Sequence, residues 1–131
     1  MSESSRSVLV IDDDKNQRGM LSFALRDLGY RVVAVASGAE AVESARAETF
    51  DAAICDIMMP GQDGIETLRQ LKSEHPKLEV VMATGYGTTQ TALKAMRLGA
   101  CNYVTKPYEL SDLIAVLDQA LEKARAREDE T

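Results

Sequence analysis

The stretch from Asp51 to Gly85, DAAICDIMMPGQDGIETLRQLKSEHPKLEVVMATG, decides the fold. Asp51 to Cys55 is a short apolar run with the length of a buried strand, and Asp56 follows it directly. Pro60, Gly61 and Gly64 make a loop, after which Ile65 to Lys72 reads as a helix. Leu78 to Ala83 (LEVVMA) is a second run of strand length. A strand, a helix and a strand in that order form a crossover unit, and a crossover sets the two strands parallel.

The same alternation continues outward in both directions. Upstream, Ser7 to Ile11 reads as a strand, and Asn16 to Leu28 as an amphipathic helix stopped by Gly29. Arg31 to Val35 is a further strand, and Gly38 to Ala47 a short Ala-rich helix. Downstream, Thr88 to Leu98 forms a helix stopped by Gly99, Cys101 to Val104 a brief strand, and Glu109 to Ala124 the last helix. Five βα units make an α/β domain whose parallel sheet is covered by helices on both faces. Periodicity leaves the strand order open.

A chain of 131 residues with 45 % apolar composition suits one globular domain. Residues 1–6 are polar and expected to be disordered, residues 7–124 hold the domain, and residues 125–131 read as a polar tail or the start of a linker. No apolar run approaches the ~20 residues of a membrane span, and no signal segment precedes the first strand. A cytoplasmic location without membrane contact is therefore expected. The net charge of −6, with basic residues scattered among acids, argues against direct nucleic-acid binding by this chain. Cys55 and Cys101 lie inside apolar segments and read as small buried side chains.

Ligands of parallel α/β sheets bind beyond the carboxyl ends of the strands. Standing there are Asp12, Asp13 and Asp14 after the first strand, Asp56 after the third, Thr84 after the fourth and Lys106, followed by Pro107, after the fifth. Taken singly, these are a solvated loop, a turn and a surface charge. Their recurrence at equivalent places in successive units points instead to one shared site. Clustered carboxylates repel one another, and an oxygen-rich pocket suits a hard divalent cation such as Mg²⁺. Thr84 and Lys106 can each contact a phosphoryl oxygen, and transfer to an Asp needs little beyond positioning and charge stabilisation.

The runs VLVIDDD, DAAICDIMMPGQDG, VVMATGYG and NYVTKPYE closely resemble the receiver domain of two-component response regulators, across roughly Ser7 to Ala124. That resemblance implies a flavodoxin-like, CheY-like (βα)5 fold, a doubly wound parallel five-stranded sheet of order 2-1-3-4-5. It makes Asp56 the phosphoacceptor. Asp13 and Asp56 would bind Mg²⁺ or Mn²⁺ directly, with Asp12 close by or acting through water, and the backbone carbonyl of Met58 would add a ligand. Thr84 would be the switch hydroxyl, Tyr103 the switch aromatic and Lys106 the phosphoryl contact. The Lys106–Pro107 bond is commonly cis in the family, and Asp14 is expected to cap the first helix.

The implied partner is a sensor histidine kinase, whose phosphohistidine supplies the phosphoryl group. His75, the single histidine, sits in a polar turn and is expected at the surface, not as donor. The domain would catalyse only its own phosphorylation and slow hydrolysis, and so is no enzyme in the ordinary sense. Met58 and Tyr86, bulky and uncharged two residues beyond Asp56 and Thr84, would crowd a hydrolytic water without activating it and so lengthen the phosphoryl lifetime. Phosphorylation would change the face made by the fourth helix, fifth strand and fifth helix, where partners or a second copy would bind.

The segment ATGYGTTQTALKAMRLGACNYVTKPYEL looks most like receivers of NtrC-class, sigma-54-dependent transcription regulators. Leu110, Ile114, Leu117, Leu121 and Ala124 form a heptad-like seam, read as packing on the sheet or, alternatively, as a dimerising extension. Two output readings stand: transcriptional control through an effector domain outside this sequence, or a stand-alone receiver acting by relay or protein binding. A haloacid-dehalogenase-type phosphatase also uses an Asp nucleophile, and Asp12 with Asp14 satisfies its DxD spacing, but the chain has no cap insertion. A dinucleotide-binding reading lacks the G-x-G-x-x-G turn.

Overall fold

The computed structural model describes residues 6–57, 64–85 and 89–129. Its elements run β1 (Ser7–Ile11), α1 (Lys15–Asp27), β2 (Arg31–Val35), α2 (Gly38–Ala47), β3 (Ala52–Asp56), α3 (Gly64–Glu74), β4 (Glu79–Thr84), α4 (Thr89–Arg97), β5 (Asn102–Thr105) and α5 (Leu110–Asp129). All strand pairs are parallel, and the order across the sheet is β2-β1-β3-β4-β5. The strand order implied by the receiver resemblance is the one observed.

Alternate side chains of each strand go to opposite faces, and both faces are buried. Leu9, Ile11, Ala53, Cys55, Val80 and Met82 pack in one cluster with α2, α3 and Ala95 of α4. Val8, Val10, Ala52, Ile54, Val81 and Ala83 pack in the other with α1 and α5. This explains why the strands read as unbroken apolar runs without polar alternation.

Helix ends follow local chemistry. Asp14 caps α1, accepting from the amides of Asn16 and Gln17, as its position after the acidic pair suggested. Ser37 caps α2 through the Glu40 amide. The chain leaves α1 and α4 through Gly29 and Gly99, at φ 98° and 105°, a region that a Cβ disfavours.

The structure differs from the sequence reading at both ends. Arg6, assigned to the unpacked N-terminus, accepts from the Arg31 amide at 2.8 Å and reaches Asp51. Helix α5 runs on to Asp129, beyond Ala124, which is buried, and Arg125 and Ala126, which are exposed. Arg, Ala and Glu favour helix without any partner surface, so the helix outlasts its amphipathic pattern. Of the heptad-like seam, Leu117, Leu121 and Ala124 are buried and Ile114 partly so, whereas Leu110 is 41 % exposed.

Candidate functional site

Three strand ends and one following loop bring the charged residues together. Parallel register sets Ile11 beside Cys55, so Asp12 and Asp13 emerge next to Asp56, and Asp56 pairs with Ala83, one residue before Thr84. Thr84 is fully buried, and its carbonyl accepts from the Lys106 amide at 2.8 Å. That bond carries Lys106 across to the acids. The Lys106–Pro107 peptide bond is cis.

Lys106 Nζ stands 3.1 Å from Asp56 Oδ2 and 3.2 Å from Asp12 Oδ2. Asp12 is otherwise held by the chain: its Oδ1 accepts from the Asp14 amide at 2.9 Å, and its carbonyl accepts from Arg18 Nη1 at 2.8 Å. Carboxylate oxygens of Asp12, Asp13 and Asp56 lie within 4.8 Å of one another. Asp12 and Asp56 are buried, while Asp13 is exposed.

Burial pushes the Asp12 carboxyl above its ordinary range; the Asp14 amide and Lys106 oppose this and the Asp56 charge adds to it. An ion pair alone would lower it, so desolvation outweighs the pairing here. Burial also works against the charge on Lys106. The hydrogen bond to Asp56 and the attraction of both acids overcome this and hold the ammonium above the ordinary lysine range. The single ammonium thus sits beside two buried carboxylates, with a third close by. Hard oxygen donors at this spacing can hold a divalent cation, which would relieve the remaining repulsion.

A groove of about 890 Å³ opens over the acids, with Met20, Lys106, Pro107, Tyr108 and Leu110 on its walls. Burial raises the Tyr108 phenol above its ordinary value, and the Asp12 and Asp56 charges add to this against Lys106. Tyr103 is half-buried on β5 against the cluster that holds α4, its hydroxyl 3.3 Å from Thr91 Oγ1. Met58 and Tyr86 lie outside the described residues.

Asp12, Asp13, Asp56, Thr84 and Lys106 therefore share one edge of the sheet, while Tyr103 stands one strand away on the α4 side. Arg18 and Tyr108 were not singled out from sequence. The aromatic that follows Lys106 and Pro107 was a usable signal for Tyr108; nothing local marks Arg18. His75 departs from expectation. It is half-buried, its Nε2 enclosed, and it lines a cavity of about 460 Å³ with Asp51 and Ala124 at the opposite edge of the sheet. Cys55 is buried and Cys101 partly so, both as free thiols, and burial pushes the Cys101 thiol up to about 11.

Residues 8–118 match the family described as the response regulator receiver domain. The chain is 36 % identical over its full length to the transcriptional regulatory protein ZraR of Escherichia coli K12, and spans 30 % of that protein. It is 35 % identical over 87 % of its length to the DNA-binding transcriptional regulator NtrC of the same organism, and spans 24 % of it. Among solved structures, a CheY-like response regulator receiver domain protein from Methanospirillum hungatei JF-1 superposes with a TM-score of 0.92 at 27 % identity, covering 95 % of this chain and 99 % of that one.

Proposed function

Since the chain belongs to the response regulator receiver family, we propose that it accepts a phosphoryl group on Asp56 from a phosphohistidine of a sensor kinase. The observation that carries this reading is Lys106 Nζ, within hydrogen-bonding distance of both Asp12 and Asp56 at the mouth of an open groove. An ammonium so held counters charge on the acceptor before transfer and on the phosphoryl oxygens after it. Asp56 Oδ attacks phosphorus, the P–N bond breaks, and the imidazole leaves with the electron pair and takes up a proton. Asp13 and Asp56, with Asp12 close by, would hold Mg²⁺ or Mn²⁺, which when bound offsets charge on the transferring group. The apolar walls at Met20, Pro107 and Leu110 suit a partner that presents its histidine on a helical surface.

Phosphorylation would draw the Thr84 hydroxyl toward the phosphoryl group and let Tyr103 turn inward, shifting the populations of two conformers. The support lies in α4, whose buried anchor is Ala95 and which exposes Leu93 and Met96. An element held so lightly is cheap to displace, and with β5 and α5 it would form the face read by partners or by a second copy. Because the relatives extend well beyond the matched segment, the output we favour is control of transcription through an effector domain, in the cytoplasm. A stand-alone relay is the second output.

The test is incubation with acetyl phosphate, or with beryllofluoride, and Mg²⁺. One phosphoryl group per chain from acetyl phosphate, or one bound beryllofluoride, lost in Asp56→Asn, is the expected result. Many turnovers that survive Asp56→Asn and depend on Asp12 would assign the chain to phosphatase chemistry instead.

A further inference from the structure

Helix α3 begins directly on the main chain of the phosphoacceptor. The Gly64 amide donates to the Ile57 carbonyl at 2.6 Å. A Cβ placed on Gly64 would stand 2.1 Å from the Asp56 carbonyl oxygen, 2.5 Å from Ile57 Cα and 2.8 Å from the Asp56 carbonyl carbon. All three are backbone atoms, so no flexible side chain can give way. The nearest is more than about 1 Å short of ordinary contact.

We propose that Gly64 is a positioning residue for phosphoryl uptake: its missing side chain lets α3 seat against the Asp56–Ile57 peptide and so fixes where the Asp56 carboxylate stands. The proposal rests on Asp56 as phosphoacceptor. Strand β3 is buried along its whole length between β1 and β4, so it cannot slide to admit a methyl group. The last peptide of the strand can tilt, and the Gly64–Ile57 bond couples that tilt to any displacement of α3. A tilt there re-aims a carboxylate whose Oδ2 is placed to 3.1 Å from Lys106 and whose neighbours lie within 4.8 Å. Conformational freedom does not explain this glycine, since its φ lies outside the left-handed region, unlike those of Gly29 and Gly99. Its space requirement does.

Four proteins decide the matter: wild type, Gly64→Ala, Gly29→Ala and Asp56→Asn. Gly29 has φ 98° with nothing near its Cβ position, so its substitution strains the chain far from Asp56. Each is measured for the acetyl phosphate labelling rate at saturating Mg²⁺, for Mn²⁺ affinity by electron paramagnetic resonance and for thermal unfolding. Gly64→Ala is expected to melt cooperatively but to label about 100-fold more slowly, as displacement of a reacting group by about 1 Å predicts. Its Mn²⁺ affinity should fall about 10-fold, as when a group supporting a ligand is lost. Gly29→Ala should lower the midpoint and leave rate and affinity unchanged. A Gly64→Ala protein with the rate and affinity of Gly29→Ala overturns the proposal. So does one without a cooperative melt, which would assign the glycine to folding alone. If wild type and Asp56→Asn label alike, it is the phosphoacceptor reading that fails.

Discussion

Asp12 carries a cost that its neighbours do not cancel. Its native carboxyl binds a proton more tightly than the ordinary value of 3.8, first because it is buried. The native state therefore holds more protons than the unfolded chain in the window just above pH 3.8, and stability falls as pH rises through the native pKa. Asp12→Asn keeps an oxygen to accept from the Asp14 amide and removes the charge. We expect this substitution, without metal, to raise stability at pH 7 by on the order of 1 kcal/mol, a shift of a few degrees in a domain this size. The gain should vanish on acidification below pH 4, and thermal melts across that range check it. Mg²⁺ affinity should fall in the same variant, the usual exchange of stability for function at a site.

At the scale of the element, α5 has two unlike ends. Leu113 and Leu117 are fully buried, whereas Leu110 projects beside the groove. Leu117→Ala is expected to cost about 2–5 kcal/mol in a denaturant titration, and Leu110→Ala to stay within about 0.5 kcal/mol while slowing transfer from a kinase. The same helix is tied to the start of β2 by the Tyr30 hydroxyl, which donates to Asp118. Burial and then the Asp118 carboxylate push that phenol up to about 12. The strands were legible in the sequence because sheet burial on both faces demands unbroken apolar runs such as VLVI. Asp12, Asp56, Thr84 and Lys106 were legible because a parallel sheet sends every strand end to one edge. The Tyr30–Asp118 contact, the Arg18 bond to Asp12 and the enclosure of His75 were not, since each depends on packing between distant segments. The tight seat of Gly64 was hidden for the same reason: the letters mark a turn, and only the fold shows what the turn touches.

For the molecule as a whole, two core layers share one sheet, so the acid cluster sits at a seam that both layers support. A divalent cation that binds this native cluster and not the unfolded chain stabilises the entire domain by linkage. At a concentration about 100 times its dissociation constant, Mg²⁺ should add about 2.7 kcal/mol. The midpoint should rise with added Mg²⁺, return with EDTA, and respond much less in Asp56→Asn. Monovalent salt at equal ionic strength should not reproduce the rise, which separates site binding from screening of the net charge of −6.

The cavity lined by both Asp51, where Arg6 is anchored, and Ala124, a buried residue in the last third of α5, has a practical consequence. Both ends of the folded body leave from the edge remote from Asp56. A fluorescent protein, a surface tether or a foreign output module grafted at either end would hang from a common handle, and the edge that carries Asp56 would stay open to whatever approaches it.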